Sequence, residues 1–179
     1  MHLTESSKTK SLLERLDESS SAVIKEEITE ASFNAQQVVD LARESLDFLA
    51  ALCMPATFRY KFPSFYLSTW AWLKEYIYKE RDFSQLALGF PRGFSKTTLT
   101  KLFIVYCVLF TKRRFILVMG ENQTKANNIL ADVTDMLSEP NIKRVFGDWR
   151  LGLEVDRQDL KKFGYRGRDL AIVAATVET

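Results

Sequence analysis

The sequence predicts an α/β fold, a mostly parallel sheet with flanking helices, preceded by a helical N-terminal region. Three observations point there. The 179 residues are 46% apolar and 27% charged, which supports one packed domain at roughly 100–200 residues per domain and excludes wholesale disorder. From Gln85 onward, short apolar runs alternate with amphipathic stretches, and brief connections between them are those of right-handed crossover units. Ahead of that point the apolar residues recur at helical spacing rather than in alternation.

Residues 1–35 are rich in Ser, Thr, Glu and Lys, with a weak apolar pattern at Leu12, Leu13, Leu16, Val23 and Ile28. They read as a tail or a loosely docked helix pair. Val38, Leu41, Ala42, Leu46, Leu49 and Leu52 then predict a helix that Pro55 closes. Tyr66, Trp70, Leu73 and Ile77 mark one face of a helix beginning after Pro63, a face suited to core packing. Gln85–Phe90 reads as a short buried strand. Leu99–Phe110 reads as a helix apolar on nearly all sides, hence central. Phe115–Met119 is a second strand. Ala126, Ile129, Leu130, Val133, Met136 and Leu137 mark an amphipathic helix that Pro140 ends, and Leu170–Val177 is a third strand. Residues 1–54 thus form an acidic helical N-terminal region, and 55–179 the α/β part.

Composition excludes several chemistries. The only histidine is His2, which leaves no histidine-built metal site and no practical Ser-His-Asp or Cys-His pair. Cys53 and Cys107 both stand in apolar runs, where a reduced, buried thiol is the plain expectation. No secretory h-region follows the polar start. The longest apolar stretch, Leu102 to Phe110, is about half of the roughly 18–20 residues that span a bilayer; a soluble intracellular protein is expected. Residues 1–50 hold five Lys and Arg against ten Asp and Glu, whereas the remainder holds twenty against thirteen. The basic part could face a polyanion.

The chemically informative run is Phe90-Pro91-Arg92-Gly93-Phe94-Ser95-Lys96-Thr97-Thr98, between the first predicted strand and the central helix. A phosphate-binding loop needs backbone N–H groups converging on an anion, a lysine reaching the β and γ phosphates, and a hydroxyl on Mg²⁺. Lys96 and Thr97 supply the last two in the first turn of a helix, where the dipole favours negative charge. Gly93, Phe94 and Ser95 form the backbone cradle, and Thr98 adds a hydroxyl near the α and β phosphates. The usual pattern, G-x-x-x-x-G-K-[ST], is not met strictly: Phe90 and Ser95 stand at its two glycines. The plainer alternative is an ordinary helix N-terminus, with Ser95 as cap and a solvated lysine.

The run LALGFPRGFSKTT, followed by FILVMGEN and NIKRVFGDW, resembles the ATPase domain of the large terminase subunits that package DNA into tailed-phage proheads. Pro91 to Thr97 fits that family's deviant loop, P-R-G-x-[GS]-K-[ST]; the resemblance covers about residues 58–179. It implies a P-loop NTPase-type fold, here a partial ATPase domain, that binds ATP and Mg²⁺ in the host cytoplasm. The partners it implies are double-stranded DNA, with a small terminase subunit and a portal, in a homo-oligomeric ring. Arg92 is then implied to stabilise charge on the γ phosphate, the alternative being a surface arginine paired with Glu80 or Asp82. Tyr66 falls near the place where the family often sets a Gln or His beside the adenine. A motor also needs an apolar strand ending in carboxylates to hold Mg²⁺ and activate water. Leu170–Val177 has Ala174 and Ala175 in that place, and Glu178 is a lone acid. The expectation is a chain that stops early and alone hydrolyses ATP poorly.

The segment 141–168 carries Lys143, Arg144, Arg150, Arg157, Lys161, Lys162, Arg166 and Arg168 against four acids. It reads either as a grip on DNA phosphates or as the solvated face of a hairpin or helix. Two other functions compete with the motor: another P-loop nucleic-acid ATPase of helicase or recombination type, and a non-catalytic interaction module with a vestigial loop.

Overall fold

The computed structural model describes residues 35–78, 87, 89–91 and 93–176. Within them the helices are α1 (Ala35–Glu44), α2 (Leu46–Cys53), α3 (Ser64–Tyr78), α4 (Lys96–Phe110), α5 (Gln123–Ser138) and α6 (Pro140–Phe146). The strands are β1 (Phe115–Gly120), β2 (Leu153–Asp156), β3 (Leu160–Tyr165) and β4 (Arg168–Thr176).

The protein is α/β, and its four-stranded sheet runs in the order β1-β4-β3-β2. β1 and β4 are parallel, with Phe115 opposite Ala171 and Gly120 opposite Thr176. The other two pairings are antiparallel, so the sheet described here is mixed and mostly antiparallel, not mostly parallel as expected. The difference lies in residues 153–165. Leu-Lys-Lys-Phe-Gly-Tyr alternates only loosely and carries charge, so it does not announce a strand as an unbroken apolar run does. It pairs because Phe163 and Tyr165 are buried on one face while Lys162 stays in water on the other. Arg166 and Gly167, both at positive φ, turn the chain straight back into β4.

The predicted first strand lies largely outside the described residues, as do residues 1–34, Val177 and Glu178. Two helix expectations change. The run from Val38 to Leu52 is two helices, because Ser45 is extended and its Oγ accepts from the Phe48 amide at 3.2 Å, starting α2 afresh. Pro140 ends α5 but also opens α6 from its first position, where its missing N–H costs nothing.

α4 is central as expected: Leu99, Leu102, Val105, Tyr106, Val108 and Leu109 are all buried. α5 packs between α4 and one face of the sheet, setting Ala126, Leu130 and Val133 among the buried Val118, Ile172 and Ala174. α1 and α2 join the same apolar cluster. On the other sheet face Phe115, Leu117 and Met119 of β1 are exposed. Cys53 and Cys107 are free and buried; burial pushes both thiols up, that of Cys107 to about 12. No helix among the described residues is long and apolar enough to cross a membrane.

Candidate phosphate-binding loop

α4 starts abruptly. Gly93 has φ +85 and Ser95 φ 30, so the chain makes two left-handed steps before Lys96 enters the helix. Glycine adopts such angles freely, whereas serine does so at a cost of about 1–2 kcal/mol. Ser95 makes no side-chain cap bond. It therefore does not do what an ordinary N-cap serine does. The first intrahelical bond is Leu99 N–H to the Ser95 carbonyl at 3.1 Å, so the helix itself offers no acceptor to the amides of Lys96, Thr97 and Thr98. These amides and the dipole behind them favour an anion.

Lys96 turns back over this bend. Its Nζ donates to the Phe90 carbonyl at 2.7 Å, spanning six residues of loop. The ammonium thus lies across the loop, with two further N–H donors to offer. Thr97 is exposed and Thr98 half-buried. Gly93, Phe94, Ser95, Lys96, Thr97 and Thr98 are therefore contiguous at one helix end. Arg92, the expected γ-phosphate residue, lies outside the described residues.

A cleft of about 330 Å³ runs beside Thr98 between α2, α4 and α5. Its walls include Asp132, Asp135 and Glu139, with Lys101 already paired to Asp132. That charge disfavours an anion in the cleft.

The residues present fit a triphosphate: amides with no acceptor within the helix, a lysine across the bend and a hydroxyl in the first turn. For Mg²⁺ they offer the Thr97 hydroxyl alone. Mg²⁺ commonly keeps waters and phosphate oxygens as most of its six ligands, so one protein oxygen is compatible with it. Among the described residues no group of three or more His, Cys, Asp or Glu is placed to hold a metal. At the end of β4, Ala174 is buried and Ala175 half-buried, and the Ala174 carbonyl accepts from Gln123 Nε2 at 3.0 Å.

Beside the loop the structure gathers aromatic rings that the sequence leaves scattered. Phe65 of α3 lies 5.9 Å from Phe90 and 5.4 Å from Phe94, centroid to centroid. Tyr66, near the place implied for adenine, is 5% exposed and packs on Phe62, Phe65 and Phe90. It is core. Phe65 was missed because α3 and the loop are far apart in sequence; the density of aromatics in FRYKFPSFY was the only available signal.

All eight cations of segment 141–168 have intramolecular partners. Lys143 pairs with Asp148 at 3.1 Å, Arg157 with Asp159 at 2.7 Å, Lys162 with Glu154 at 2.6 Å, and Lys161 with Asp156. Arg144 donates to Asn141 and Arg150 lies over the Trp149 ring. Arg166 and Arg168 donate to the Leu109 and Val108 carbonyls, closing the C-terminal end of α4. By contrast Lys112, Arg113 and Arg114 are consecutive and exposed.

No protein-family model, curated protein or solved structure matches this chain.

Proposed function

We propose that this chain is the nucleotide-binding part of a P-loop motor that moves double-stranded DNA, of the large-terminase type. One observation carries the reading: the Lys96 ammonium folds back to the Phe90 carbonyl over a left-handed bend, at the start of a buried helix whose first amides have no acceptor within the helix. A triphosphate replacing that carbonyl would meet Lys96 and the amides of Ser95 to Thr98 at once. Mg²⁺ bound with it would neutralise phosphate charge and take the Thr97 hydroxyl as a ligand. The protein's own contribution is to fix the phosphates and to present donors that need not reorganise. Arg92 adjoins the bend and is the candidate for the γ phosphate.

DNA would be gripped through its backbone. With the cations of 141–168 occupied internally, the exposed run Lys112 to Arg114 is the better candidate for phosphate contact. A ring of copies, a small subunit and a portal complete the proposed assembly in the host cytoplasm. A second reading, an interaction module with an idle loop, draws support from the exposed apolar stripe Phe115, Leu117 and Met119 on β1, which ends the sheet among the described residues.

Calorimetric titration with Mg·ATP separates the two. The motor reading expects saturable binding that weakens at least about tenfold in Lys96→Ala, the loss of a charge-assisted contact. Binding that is absent, or unchanged in the variant, favours the module.

A further inference from the structure

We propose that the base of the bound nucleotide stacks on Phe94 and Phe65, so that the loop takes purine nucleoside triphosphates with little discrimination between adenine and guanine. This rests on the loop being a triphosphate site and adds how the rest of the nucleotide is held.

Large apolar side chains at a phosphate loop are expected to turn inward, and Phe94 does not. It sits between Gly93 and Ser95, both at positive φ, and its ring is 41% exposed. The ring is nevertheless anchored. It lies 5.4 Å from Phe65 with the two planes inclined at 57°, a tilted contact that uses ring edges and leaves face area open. Phe65 is in turn backed by Tyr66 at 4.0 Å and Phe90 at 5.9 Å. The result is a half-exposed aromatic shelf two residues along the chain from Lys96.

What surrounds the shelf decides its selectivity. Reading a base edge at two points takes an amide or carboxylate side chain. Residues 57–71, which include the start of α3, contain no Asn, Gln, Asp, Glu or His. Tyr66 is buried and its ring already packed. Stacking, unlike edge reading, tolerates any base because each has a π face. The purines, with the larger face, gain most.

Three ligands are titrated into the 179-residue chain in Mg²⁺: ATP, GTP and inorganic triphosphate. Wild type, Phe94→Ala and Phe94→Trp are compared. ATP and GTP are expected to bind within about threefold of each other, as sequence-tolerant stacking implies. Phe94→Ala is expected to weaken both by about tenfold and to weaken inorganic triphosphate several-fold less, while Phe94→Trp keeps the nucleotide affinity. A preference for ATP beyond about thirtyfold would overturn the inference, since only edge recognition discriminates that far. So would nucleotide affinity untouched by Phe94→Ala, or inorganic triphosphate binding as tightly as ATP. In those cases the loop still holds phosphate and only the stacking falls. If none of the three ligands binds wild type, the phosphate site itself is refuted and the base shelf goes with it.

Discussion

Among the described loop residues, Ser95 holds the one backbone conformation that its side chain resists. With φ 30 and no cap bond, it pays strain that a glycine would not. Strain of this kind persists where surrounding structure over-determines it, often at functional sites. Ser95→Gly should therefore raise stability by about 0.5–1 kcal/mol, the relief of strain less the added freedom of an unfolded glycine. A urea midpoint shifted upward would show it; a lowered midpoint would mean that the serine is unstrained. Tyr165 gives a second prediction at this scale. Its hydroxyl donates to the Phe146 carbonyl at 3.0 Å, and burial pushes its pKa up from 10 to about 12. A raised tyrosine is stabilising below its unfolded pKa, and that contribution is lost as pH climbs from about 10 to about 12. Chemical denaturation at pH 8 and pH 11 should register the loss. Tyr165→Phe should be less stable at pH 8 and should lose less on going to pH 11.

At the scale of elements, the 3₁₀ turn Trp149–Gly152 lies close against β3 at Gly152 and Gly164. A Cβ built on Gly152 would stand 2.0 Å from the Gly164 carbonyl oxygen and 2.8 Å from its carbon. Backbone is in the way, so nothing flexible can yield. Gly152→Ala should cost at least about 2 kcal/mol, measured as a fall in thermal midpoint, while Gly147→Ala should act only through its φ of +91, since its Cβ meets open space. Helices with an unbroken apolar face, such as α4, α5 and the start of α3 after Pro63, were legible because their signal is local and periodic. β2 and β3 were not. Their alternation is short and charged, and their pairing is dictated by the Arg166-Gly167 turn and by Trp149, whose ring lies 5.0 Å from that of Phe163. The break at Ser45 was missed for a related reason: an N-cap inside a continuous apolar periodicity does not disturb the pattern.

For the whole molecule, the same division holds between what neighbours in sequence determine and what the fold brings together. The proposed phosphate loop is nine contiguous residues, so its lysine, its hydroxyls and its glycine are candidates that the sequence alone offers. The aromatic shelf needs α3 against the loop, the Lys161–Asp156 and Lys162–Glu154 pairs need β2 against β3, and the bonds of Arg166 and Arg168 need the end of α4; none of these is written locally. The consequence for the proposed motor is a polar division along α4. Its N-terminal end presents Lys96 and amides with no acceptor within the helix, whereas its C-terminal end is closed by Arg166 and Arg168 and followed by the exposed Lys112, Arg113 and Arg114. Anion binding at one end and polyanion contact at the other would then be joined by one rigid, buried helix. The claim beneath all of this is that the start of α4 holds a triphosphate on backbone amides. Amide-resolved NMR during titration with Mg·ATP tests it most directly. The account predicts saturable shifts concentrated at Gly93, Phe94, Ser95, Lys96, Thr97 and Thr98. Shifts confined to other surfaces, or an unchanged spectrum at millimolar nucleotide, would contradict it.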